Sequence, residues 1–78
     1  MKMTARELFA KRVQELREER GWSQDDLAKA AGLPPAYIGT IERAEQSIAI
    51  DNMEKIADAF KVPIFELLQS SSDRRVTH

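Results

Sequence analysis

Cysteine is absent and histidine occurs once, as His78. Without thiols there is no disulfide, no thiolate nucleophile and no thiolate metal site, so a redox or zinc role is excluded, and no Ser/His/Asp set is recognised in the pattern. No apolar run approaches the roughly 20 residues that a membrane-spanning helix needs. The opening residues, Met1 to Glu7, lead into charged amphipathic sequence with no uninterrupted apolar stretch, so no signal peptide is expected and the cytoplasm is the expected location. No glycine-rich loop is present to cradle a phosphate. No cofactor, no metal and no catalytic residue are assigned, and the chain is not read as an enzyme. A basic excess is missing too: 12 Lys/Arg stand against 13 Asp/Glu, for a net charge of -1. Nucleic-acid binders normally carry positive charge against phosphates, so any DNA-facing potential here rests on a few placed cations. Residues 23–50 hold two Lys/Arg and four Asp/Glu.

What is present is helical pattern. A chain of 78 residues, 42% hydrophobic and 32% charged, suits one all-α domain, which at this size buries roughly 60% of its unfolded surface. Leu8, Phe9, Val13 and Leu16 repeat at helical spacing, with Thr4 and Glu7 placed as a capping box and Gly21 as a stop. Ser23 is a good N-cap for a second helix, with Asp25 and Asp26 in its first turn and Leu27, Ala28 and Ala31 as its apolar stripe. Gly32 supplies a turn, Leu33 plugs the core, and Pro34-Pro35 starts a third helix running to about Arg43. Ile50, Met53, Ile56, Ala57 and Phe60 mark a fourth helix. Val62-Pro63 breaks it, and Ile64 to Leu68 makes a short fifth. The domain is expected over residues 4–69, and residues 70–78 read as a flexible polar tail.

On a wheel of 100° per residue, Ile38 and Ile41 share one side of the third helix. Ala36, Gly39, Thr40 and Arg43 lie opposite, with Tyr37 and Glu42 on the flanks. Small outward residues let a helix backbone come close to another surface, as a major-groove reader must.

Residues 24–43, two helices around Gly32, carry a family resemblance. Ala28, Gly32, Ile38 and Ile41 stand where a helix-turn-helix needs a small residue, a turn glycine and two apolar residues, with Trp22-Ser23-Gln24 before them and Glu42-Arg43 after. From about Phe9 to Leu68 the chain resembles the lambda-repressor-like, or Xre, family, and looks most like its small stand-alone regulators, including controller proteins of restriction-modification systems. The resemblance implies a five-helix fold whose helices two and three form the helix-turn-helix. It implies double-stranded DNA as partner and a homodimer reading a palindromic operator. It implies DNA contacts from Ser23, Gln24, Pro35, Ala36, Tyr37, Gly39, Thr40, Arg43, Gln46 and Ser47, and an ion pair between Arg17 and Glu42. The family often has glycine where this chain has Ala44 and Lys61, so a positive φ there would carry strain. The dimer surface is expected at Ile64, Phe65 and Leu68. With Ile64 and Leu68 facing the core, Phe65 is left exposed beside Leu67. The alternative is an antitoxin or adaptor of the same fold that binds another protein.

Overall fold

Thr4 Oγ1 accepts from the Glu7 amide at 3.1 Å and Glu7 Oε1 accepts from the Thr4 amide at 2.9 Å, which closes the capping box that starts α1 (Ala5–Glu19). The computed structural model describes residues 3–69; the expected polar tail lies outside the described residues. A second capping box starts α2 (Gln24–Ala31). Here Ser23 pairs with Asp26, at 2.8 and 3.0 Å, although an aspartate is one methylene shorter than the usual partner. The Ser23 amide, bonded to the carboxylate, holds Asp26 below its ordinary pKa, with the Ser23 hydroxyl adding to it. α3 (Pro35–Glu42) begins with Pro35 in its first turn, and α4 (Ile50–Phe60) follows the connector. A 3-10 helix (Ile64–Leu68) ends the described chain.

Each of the four described α-helices stops in the same way. The amide of a left-handed residue, and then the amide after it, reach back to carbonyls of the last turn, the 5→2 and 6→1 bonds of a Schellman motif. Gly21 and Trp22 close α1, bonding to Glu18 and Arg17 at 3.0 Å each. Gly32 and Leu33 close α2, Ala44 and Glu45 close α3, and Lys61 and Val62 close α4. The left-handed positions have φ of +68° at Gly21, +71° at Gly32, +56° at Ala44 and +59° at Lys61. Glycine sits where the strain is free at two of them, and an L-residue bears it at the other two.

The core is one cluster drawn from every element: Phe9, Val13 and Leu16 of α1, Leu27 and Ala28 of α2, Ile38 and Ile41 of α3, Ile56 and Phe60 of α4, and Leu67. α2 packs on α3 and α4, while α1 packs on α3 and on the 3-10 helix. Trp22 stacks on Phe60 with centroids 5.6 Å apart, and Arg20 lies 4.9 Å from the same ring while donating to the Phe60 carbonyl at 2.8 Å. This clamps the end of α1 to the end of α4.

The fifth element differs from the expectation. It is a 3-10 helix, not an α-helix, with three residues per turn, so residues i and i+3 share a face. Ile64 and Leu67 therefore point to the core, and Leu67 is fully buried. Leu68, expected inside, is 41% exposed and lies with Phe65, 60% exposed, on the outer side. Its anchor is Arg12, only 1% exposed, which donates from Nε to the Glu66 carbonyl at 3.1 Å and makes ion pairs with Glu15 at 2.9 Å and Glu66 at 3.5 Å. Among the described residues, no helix is long and apolar enough to cross a membrane.

Candidate nucleic-acid interface

α3 is held from beneath by a charged joint. Arg17 Nε and Nη2 donate to the two Glu42 carboxylate oxygens at 2.7 and 3.0 Å, and Arg17 Nη1 donates to the Trp22 carbonyl at 2.9 Å. The Glu42 side chain is 3% exposed and that of Arg17 15%. The hydrogen bonds to Glu42 raise the Arg17 pKa above its ordinary value against the opposing effect of burial. From α1, Gln14 Nε2 donates to the Glu42 carbonyl at 3.2 Å, so the last turn of α3 is tied to α1 through both side chain and backbone. Glu42 is a structural group in this setting. Among the described residues, no buried side-chain nitrogen or oxygen lacks a hydrogen-bond partner.

The joint extends to the surface through Gln24. Its Nε2 donates to Glu42 Oε1 at 3.0 Å, which fixes the amide at the first position of α2 and turns its oxygen away from that bond. Gln24 and Arg43 together cover Gly39: a Cβ built there would lie 3.1 Å from Arg43 Nη1 and 3.5 Å from Gln24 Oε1. Gly39 is accordingly buried, although the helical wheel puts it on the outward side. The lack of a side chain is what lets its two neighbours close over it.

The other residues of the expected DNA face are distributed as follows. Pro35, Ala36, Arg43, Gln46 and Ser47 are exposed. Thr40 is half-buried and its hydroxyl donates to the Ala36 carbonyl at 3.1 Å, a bond within the helix. Tyr37 is half-buried against the core and its hydroxyl accepts from Asn52 Nδ2 at 3.1 Å, which ties α3 to α4. Ser23 is exposed, and its hydroxyl is engaged at the Asp26 amide. Arg43 Nε donates to Glu45 Oε2 at 3.0 Å with both side chains more than half exposed.

A helix-turn-helix family model matches residues 13–67. The chain belongs to this helix-turn-helix family. It is 36% identical over 69 residues to a hypothetical transcription factor of Neisseria meningitidis, an alignment that covers 88% of this chain and 65% of the other. The crystal structure of the Neisseria factor superposes with a TM-score of 0.87, covering 92% of this chain and 83% of that one. The restriction-modification controller protein C.AhdI of Aeromonas hydrophila superposes with a TM-score of 0.77 at 35% identity, covering 80% of this chain and 94% of the controller. The biofilm regulator SinR, solved in complex with DNA, gives 0.74 at 32% identity, over 78% and 98% of the two chains. The chain spans 65% of the length of the Neisseria factor and 60% of that of SinR from Bacillus subtilis.

Several elements of this helix-turn-helix site are not read from the sequence. Arg12 occupies the core stripe of α1, since residues 9, 12, 13 and 16 are spaced i, i+3, i+4 and i+7. A charge at such a position signals a buried ion pair; the Arg17–Glu42 pair, by contrast, is already implied by the resemblance and is present. The Tyr37–Asn52 and Gln24–Glu42 bonds join residues far apart in the chain and have no local signature.

Proposed function

We propose that this protein is a sequence-specific DNA-binding regulator of transcription, acting as a homodimer with α3 in the major groove. The observation that carries the reading is the likeness to SinR across 98% of a chain solved in complex with DNA, together with an α3 whose Pro35, Ala36 and Arg43 are open to solvent. Ala36 and the methyl of Thr40 suit apolar contact with thymine. Pro35 has no amide and the first turn of α3 offers almost no side-chain donors, so base readout is sparse and sequence-dependent DNA shape contributes much of the selectivity. Arg43, Gln46 and Ser47 border the recognition helix and supply phosphate contacts that fix its register. Gln24 presents its amide at the start of α2, pre-aligned by Glu42.

One such module makes few base contacts, and two of them reading half-sites about one helical turn apart provide the missing affinity and specificity. The dimer surface is the outer face of the 3-10 helix, Phe65 and Leu68, with Ile64 beneath them in the core. Ile50 is 71% exposed at the start of α4 and adds apolar area that a monomer leaves in water. Selection of bound duplexes from a random pool, followed by titration of the winners at several salt concentrations, tests the reading. The expected result is a pair of inverted half-sites at fixed spacing. Equal affinity for every sequence, or no binding at low salt, overturns it.

A further inference from the structure

We infer that Glu45 is a built-in brake on DNA affinity, an internal carboxylate that holds Arg43 through Nε and competes with a phosphate for its charge. The inference rests on the DNA-binding reading above and concerns how strongly, not whether, the site binds. Its basis is a scarcity of cations. Between residues 23 and 47 the chain has Lys29 and Arg43 as its only positive charges, against Asp25, Asp26, Glu42 and Glu45. Of the two cations, Arg43 closes α3, the recognition helix, and its Nη1 lies over Gly39 on the outward side of that helix. Its Nε is already hydrogen-bonded to Glu45 at 3.0 Å.

Backbone geometry makes the pair. Residues two apart on a helix point to different sides and do not meet. Here the left-handed turn at Ala44, φ +56°, reverses the chain immediately after Arg43, and the Glu45 amide bonds back to the Thr40 carbonyl at 3.3 Å. That return brings the Glu45 carboxylate alongside the arginine. The two side chains are 59% and 53% exposed, so the pair contributes little to stability. A carboxylate placed there acts chiefly on what approaches Arg43. An incoming phosphate either displaces Glu45 from Nε or takes the Nη donors with the carboxylate still in place, and in both cases it meets an anion beside the backbone of the duplex. Either route weakens binding to every sequence alike and reduces the number of counterions released, because an arginine neutralised from within neutralises less of the DNA. Glu45 is therefore a positioning and charge-setting residue, with Arg43 as the group through which it acts.

The test is a four-way comparison of the full chain, Glu45→Gln, Arg43→Ala and the double variant on one selected duplex, with affinity measured from low to high salt. Glu45→Gln is expected to bind roughly fivefold more tightly near 0.1 M salt and to steepen the slope of log K against log salt by about 1. In the Arg43→Ala background most of that gain disappears, while melting temperatures of Glu45→Gln and the parent stay alike. An unchanged affinity and slope for Glu45→Gln, with the parent still binding, overturns the brake and leaves the DNA-binding reading standing. So does an equal gain with and without Arg43, which makes Glu45 a direct repulsive charge. Failure of the parent itself to bind any duplex at low salt defeats the underlying reading instead.

Discussion

Lys61→Gly should stabilise the protein, and the size of the gain follows from the backbone alone. Lys61 has φ +59° and ψ +43° and closes α4 through a Schellman pair, its own amide to Asp58 and that of Val62 to Ala57, at 3.0 and 3.1 Å. An L-residue in this conformation crowds its Cβ against the following carbonyl at a cost of about 1–2 kcal/mol, which glycine avoids. Glycine in turn loses about 0.4–1 kcal/mol through the greater freedom of the unfolded chain. The net is a gain of about 0.5–1 kcal/mol, or roughly 3–6 °C in Tm for a domain of this size. Lys61 is exposed, so packing does not enter. Ala44→Gly should behave similarly, less a small loss from its half-buried methyl. The converse control is Gly32→Ala: nothing lies within 4 Å of the added Cβ, so its penalty is backbone strain undiluted by contacts. Thermal melts followed by circular dichroism, with urea titrations to check that m is unchanged, measure all three. A neutral or lower Tm for Lys61→Gly, together with a harmless Gly32→Ala, refutes the argument that these turns store strain.

Arg17→Met leaves the Glu42 carboxylate buried without its bidentate partner and should cost about 2–4 kcal/mol in urea unfolding, a large share of the stability of a small domain; a loss under about 0.5 kcal/mol would mean that Gln14 and Gln24 suffice to hold Glu42. Gly39→Ala should raise stability by about 0.5–1 kcal/mol, because alanine is the better helix former. It should also weaken DNA binding as the new methyl pushes Arg43 Nη1 aside; a fall in Tm would show that the side chains over Gly39 cannot yield. Phe65→Glu should sediment as a monomer with a normal helical spectrum, since the ring is not part of the core, and an unchanged dimer moves the interface off the 3-10 helix.

The helix boundaries were legible because their signals are local. Thr4/Glu7, Gly21, Ser23 and Gly32 act on backbone groups within four residues of themselves, so the sequence positions of caps and stops carry over to the structure nearly unchanged. The core stripes of α1 to α4 were legible for the same reason, because a regular α-helix converts spacing into direction. The fifth element broke that conversion. α-Helical spacing selects Ile64 and Leu68 as its inward face, whereas three residues per turn select Ile64 and Leu67. A segment of five residues gains little from i+4 bonds, and the Arg12 guanidinium, fixed in the core from α1, takes the Glu66 carbonyl. What decided the geometry therefore lay 54 residues away in the chain.

The candidate interface shows the same division. Spacing identified α3 and its outward side, but not what the outward residues are doing. Gly39 is outward and yet covered, and Tyr37 and Gln24 are each tied by a hydrogen bond into the scaffold. The outward surface of α3 is consequently smaller and more rigid than a list of outward residues suggests. Gln24 and Tyr37 are pre-set by Glu42 and Asn52, so on the proposed DNA-binding role little side-chain entropy remains to be lost at these positions. Arg43 is the exception, long, exposed and held by a partner that water can replace. A site made of short or anchored groups with one releasable cation has few ways to adjust its affinity, and the charge beside Arg43 is where a single substitution acts with the least disturbance to the fold.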